Sequence, residues 1–188
     1  SKFGKFWMYF MSVFWAAYLI FFGTTFAFAF DGGAREAYHV MNSGLIFVLA
    51  LDFLLRLPFL KTPTQEVKPY LLLPVKRSRL IDFLLLRSGL NSFNLLWLFL
   101  FVPFAIITVT KFYGVAGVLT YCIGIWLLIV FNNYWYLLCR TLMDERIWWF
   151  LLPVALYGGI AAALFIPDNS PIFAFSVNLG EGFITGNI

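Results

Sequence analysis

Five continuous apolar runs, each close to the length that crosses a bilayer, limit what this chain can become. They occupy approximately residues 7–30, 43–60, 89–110, 115–139 and 147–166. A helix needs about 20 apolar residues to traverse the ~30 Å hydrocarbon core. None of the runs alternates apolar with polar residues as a barrel strand does, and open strand edges are not tolerated in lipid. The expected fold is therefore all-α, an integral membrane bundle of about five transmembrane helices forming a single domain over residues 1–188. Composition agrees: with 62% hydrophobic and 12% charged residues, a chain of 188 residues lacks the polar side chains to cover a soluble domain.

Charge placement sets an expected topology. With a cytoplasmic amino terminus, Lys2, Lys5, the seven basic residues from Arg56 to Arg87, Arg140 and Arg146 all lie inside, and only Arg35 and Lys111 of the 13 basic residues lie outside. The segment 167–188 has no Lys or Arg and no full span, so it reads as a non-cytoplasmic tail or re-entrant segment. No signal peptide is visible, and a chain that starts on Ser and stops after five spans is expected to be a processed or partial piece of a longer protein.

Residues 61–88, KTPTQEVKPYLLLPVKRSRLIDFLLLRS, interrupt the apolar pattern with a basic, proline-punctuated, amphipathic elbow between the second and third spans. Thr62, Pro63 and Gln65 carry a helix-start pattern, a cap, a first-turn proline and the second half of a capping box, for a short helix ending near Pro69. Pro74 is placed to open another helix, with Lys76, Arg77 and Arg79 in its first turns before an apolar run enters the bilayer. Positive-inside insertion and attraction to anionic headgroups explain the charges. They do not explain about 28 residues where helix connections usually take 2–8. That surplus points to partner binding, with Thr62, Gln65, Glu66, Lys68, Pro74, Lys76, Arg77 and Arg79 as the candidate contacts, and lipid-surface anchoring remains compatible with it.

Polar groups inside the spans form the second set of candidates. Asp52 and Arg56 are four apart on one helix face, so they can neutralise each other as a structural pair or serve gating or substrate contact. Arg87, Asn91, Asn94 and Leu98 are spaced to share a face of the third span. Asn91, Asn94, Asn132 and Asn133 are expected to point inward and bond across helices. Pro103 and Pro153 can kink the third and fifth spans. The compact turn from Arg140 to Arg146 reads as a tight cytoplasmic connection, flanked with Trp7, Tyr9, Trp148 and Trp149 at headgroup level.

Cofactor chemistry finds little support. Cys122 and Cys139 lie near opposite ends of one expected helix, roughly 25 Å apart, too far to bridge. One His gives no metal cluster, so no cofactor or metal and no nucleic-acid partner is expected.

The run LDFLLRLPFLKTPTQEVKPYLLLPVKRSRLIDFLLLRSGLNSFNLLWLFLFVPFA resembles the second span, cytoplasmic coupling elbow and third span of type-2 ABC exporter permeases. The family's leucine-proline pair followed by basic residues is represented by Leu73 and Pro74, then Lys76, Arg77 and Arg79. The resemblance covers about residues 45–105, and it is strongest to a bacterial permease-like family of longer chains. It implies a permease subunit in the bacterial inner membrane, pairing with a separate ABC ATPase subunit whose groove receives the elbow. Homo- or hetero-oligomers are compatible with that. The wider family exports lipids, polysaccharide precursors, drugs or peptides. This sequence has no GxxxxGK[ST] motif, so ATP chemistry is expected from the partner.

Two other readings stand beside it. Asp31-Gly32-Gly33-Ala34-Arg35, with Gly44 and Asp52 downstream, resembles the signature of membrane alcohol phosphotransferases. The first block is one residue short, however, and Val48 stands where a metal-binding aspartate is needed, so a glycine turn between spans fits better. The main alternative to transport is an integral membrane assembly or accessory subunit whose elbow binds another cytoplasmic protein.

Overall fold

A computed structural model describes residues 2–29, 34–59, 67–163 and 171–185, and over these the chain is helical with no strand. The helices are α1 (Lys2–Phe26), α2 (Ala34–Ser43), α3 (Leu45–Phe59), α4 (Arg77–Gly89), α5 (Ser92–Leu96), α6 (Leu98–Glu145), α7 (Leu151–Ala163) and α8 (Pro171–Thr185), with short 3-10 turns at Lys68–Tyr70 and Ile147–Phe150. Two of these, α1 and α6, are long and apolar enough to cross a membrane.

Helix α6 contains both the third and fourth apolar runs. Its 48 residues would extend about 72 Å as a straight rod. Gly114 breaks it, with φ 67 and ψ −168. That left-handed backbone is freely open only to glycine. We therefore treat α6 as two limbs, α6a (98–113) and α6b (115–145). The limbs fold back on each other, because a single guanidinium, that of Arg56, reaches both Asn94 and Asn133. An unbroken helix would hold those two asparagines roughly 58 Å apart. Pro103 sits within the continuous helical part of α6a.

Directions follow from pairings that advance together. Gly23 lies against Leu100, and the Phe26 ring meets Phe104 edge-on at 5.8 Å, so α1 runs parallel to α6a. Tyr121 pairs with Asn42 and Asn132 with Asp52, so α2 and α3 run parallel to α6b. Helices α1, α2, α3, α4, α5 and α8 all pack on α6, which is the hub. The main core joins Leu45, Trp97, Phe101, Phe104, Tyr121 and Ile125 with Phe183 and Ile184 of α8. A second cluster of Phe53, Tyr136 and Cys139 is covered by Tyr157 of α7, whose ring lies 4.8 Å from Phe53.

Several elements differ from the sequence expectation. Residues 34–43, expected within a loop, form α2, because Met41 and Asn42 are buried against the bundle. The region expected as a tail carries α8, whose Ser176, Phe183 and Ile184 are buried. Helix α4 does not run on into the third span. It ends at Gly89, where the Tyr134 hydroxyl leaves only tight room for a β-carbon, and the chain restarts as α5. The helix after Pro74 begins at Arg77 with Lys76 as its N-cap, because Val75 and Lys76 stay outside the helical ladder.

Candidate functional site

A buried ion pair organises the junction of α3, α4, α5 and α6. Asp52 and Arg56 are both 0% exposed. One helical turn apart on α3, they place the Arg56 Nε–H 2.9 Å from Asp52 Oδ2. The carboxylate also accepts from Asn132 Nδ2 at 2.8 Å on the same oxygen and from the Trp97 indole N–H at 2.7 Å on Oδ1. The other arms of the guanidinium donate to Asn133 Oδ1 and Asn94 Oδ1, each at 2.6 Å. Charge and hydrogen-bonding demand are met within the protein, as a buried pair requires.

The two asparagines extend the clamp to the end of the elbow helix. Asn94 Nδ2 donates to the Gly89 carbonyl at 2.8 Å and the Ser88 carbonyl at 3.1 Å. Asn133 Nδ2 donates to Ser88 Oγ at 2.8 Å. The last carbonyls of a helix have no intrahelical partner, so Asn94 acts as a side-chain cap for α4. The Tyr134 hydroxyl adds a bond to the Leu85 carbonyl at 3.0 Å. Asn132 Nδ2 reaches the Leu49 carbonyl at 3.0 Å and so fixes α6b to α3.

Of the intramembrane candidates, Asp52, Arg56, Asn94, Asn132 and Asn133 thus meet in one network. Asn91 sits in the break between α4 and α5, where its backbone carbonyl accepts from the Asn94 N–H at 2.9 Å. The shared face expected for Arg87, Asn91 and Asn94 does not form, because that break separates them. Arg87 instead donates to the Tyr70 hydroxyl at 2.9 Å, tying the 3-10 turn of the elbow to α4. Trp97 and Ser88 were not singled out from sequence. An indole at the edge of an apolar run reads as core, and its donor becomes informative only once Asp52 is known to face it.

Of the elbow candidates, Thr62, Gln65 and Glu66 lie outside the described residues. Lys68 opens the 3-10 turn, and Pro74, Lys76, Arg77 and Arg79 are exposed. Lys76, Arg77 and Arg79 lie at one end of α4, while its other end enters the clamp, so the two candidate groups are joined by a rod of 13 residues, about 20 Å long.

The Asp52 carboxylate is neutralised by Arg56, and among the described residues no group of three His, Cys, Asp or Glu side chains is placed to hold a metal ion. Cys122 and Cys139 are free thiols. A second, smaller knot sits elsewhere on the bundle. The Tyr121 hydroxyl donates to Asn42 Oδ1 at 3.0 Å, the Ser176 hydroxyl donates to the Asn42 carbonyl, and Gly180 lets α8 approach where a β-carbon would strike the Asn42 amide.

Over residues 2–187 the chain matches DUF5687, a family of unknown function, and it belongs to that family. Neither the curated proteins nor the solved structures contain a match to it.

Proposed function

We propose that the chain is a transmembrane subunit of an ABC-type exporter, coupled through its elbow to a separate ATPase subunit. Five spans cross a bacterial cytoplasmic membrane, with the amino terminus inside. The observation that supports coupling is the wiring of α4. Its exposed basic end is available to a partner, and its far end is hydrogen-bonded through Ser88 and Gly89 to Asn133 and Asn94, hence to Arg56. A displacement of the elbow acts on the junction of α3 with both limbs of α6. ATP hydrolysis lies in the partner.

The test separates docking from wiring. Reversing Arg77 and Arg79 to Glu should cost on the order of a few kcal/mol of association with the ATPase subunit. Ser88→Ala removes the acceptor for Asn133 at about 1 kcal/mol and should leave the partner bound while lowering substrate-stimulated hydrolysis. Purifications that retain no ATPase subunit, or wild-type coupling in both variants, would sink the exporter reading.

One observation favours a second reading, a non-transporting assembly or accessory subunit. The polar side chains of the clamp are bonded to one another and to backbone, as in a static scaffold. A stable stoichiometric complex with a cytoplasmic protein other than an ATPase would select it.

A further inference from the structure

The elbow has an apolar tip that is exposed among the described residues. Leu71, Leu72, Leu73 and Val75 are all exposed, Leu72 at 94%. Leaving one leucine in water forgoes about 1.5–3 kcal/mol of burial. Pro69 precedes the tip and Pro74 lies within it, and the tip is held in place at Tyr70, whose hydroxyl accepts from Arg87 at 2.9 Å. It is presented on a fixed base rather than hanging on a loose strand.

Between Glu66 and Asp82 the sequence around the tip carries one sign of charge. From Val67 to Ile81 the chain has Lys68, Lys76, Arg77 and Arg79, all exposed, and no acidic residue before Asp82. Three of the four cluster at the N-terminal end of α4, which has no side-chain cap. Cations at that end of a helix oppose its dipole, a cost that an opposing negative surface would offset. Four leucine-type side chains flanked by four cations, with no acidic residue interspersed, match an anionic bilayer surface. Acyl chains receive the tip, and headgroup phosphates face the two cations that border it in sequence, Lys68 and Lys76.

We infer that Leu71–Val75 inserts into the anionic cytoplasmic leaflet, with Lys68 and Lys76 held at the headgroups on either side of it. This rests on the membrane placement of the bundle and not on the ATPase partner. The leaflet then fixes the height of the elbow, leaving the Arg77 and Arg79 turn as the part free to meet a protein.

The full chain carrying Leu72→Cys, with Cys122 and Cys139 replaced, would be labelled with an environment-sensitive fluorophore. It would be reconstituted in nanodiscs of phosphatidylcholine alone or mixed with phosphatidylglycerol. Blue-shifted emission, quenched by lipids spin-labelled near the headgroup and strongest in the anionic discs, is the expected result. Lys68→Gln or Lys76→Gln should lower the anionic-disc signal about fivefold each and leave the neutral-disc signal unchanged. Water-like emission in both lipids overturns the proposal, as does shielding that appears only when a cytoplasmic protein is added. Quenching of the native tryptophans by lipids spin-labelled in the acyl chain reports membrane embedding separately. If those tryptophans are quenched and the label is not, this inference alone fails. If neither is quenched, the membrane placement fails with it.

Discussion

Arg56 is the residue on which the junction depends. Its guanidinium is 0% exposed and is shared among Asp52, Asn94 and Asn133. Arg56→Met should therefore cost about 3–5 kcal/mol, because it strands the Asp52 charge and leaves two amide oxygens unanswered. Asp52→Asn turns an amide toward donors on Arg56 and Asn132 and should also destabilise. The double variant Asp52→Asn with Arg56→Gln should lose less than the sum of the single losses, since no unpaired charge remains. Thermal unfolding in detergent, analysed as a double-mutant cycle, measures this coupling, and strictly additive losses would show that the two charges act independently. The pair itself was legible, because a four-residue spacing puts both groups on one helix face. The inward role of Asn94, Asn132 and Asn133 was legible too, from amides set in apolar runs. What no local pattern reveals is which amide meets which charge, since Asn94 and Asn133 are brought together only by the reversal at Gly114.

At the scale of elements, that reversal is the decisive feature. Nothing lies within 4 Å of a β-carbon built at Gly114, so Gly114→Ala should be limited to the cost of an essentially glycine-only backbone conformation, on the order of 1–3 kcal/mol. The hairpin has a sharper test. Leu95 and Tyr134 are exposed neighbours of the two clamp asparagines. Cysteines at both, in a background lacking Cys122 and Cys139, should be joined by a short bis-maleimide. Failure to join them would favour a straight rod, in which they would stand roughly 58 Å apart. The apolar runs marked the two limbs because each is long and continuous. Helices α2 and α8 were less visible for the opposite reason. They are short, they mix polar with apolar residues, and their stability comes from burying Met41, Asn42, Ser176 and Phe183 against α6 rather than from their own pattern. The elbow shows a related limit. Its prolines signalled interruptions, but the end of α4 is set by Gly89 meeting Tyr134, a contact between segments far apart in sequence.

At the scale of the molecule, helix directions and charge placement meet in one expectation. Helices α1 and α6a run one way and α3 and α6b the other, the alternation required if successive apolar runs cross and recross a bilayer. Helix α1 is hardly covered by its neighbours, exposing Phe6, Trp7, Phe10, Phe14 and Phe21, among others. Lipid would take up such a surface, whereas in water each ring would forgo about 1.5–3 kcal/mol of burial. In that frame the basic turn at the start of α4 faces the cytoplasm, and Lys111, beside the Gly114 reversal, faces the opposite side. Single cysteines at Ser78 and Lys111, in the background free of native cysteines, should then react with an impermeant maleimide from opposite faces of sealed vesicles. Ser78 should react from the cytoplasmic face, and a cysteine at Asn169 should behave like Lys111. Labelling of Ser78 and Lys111 from one face would contradict the crossing of α6a, because the hairpin tip and the elbow lie at opposite ends of that limb. Agreement of Lys111 but not Asn169 would instead confine the error to the last crossing and leave the expected side of the elbow unchanged.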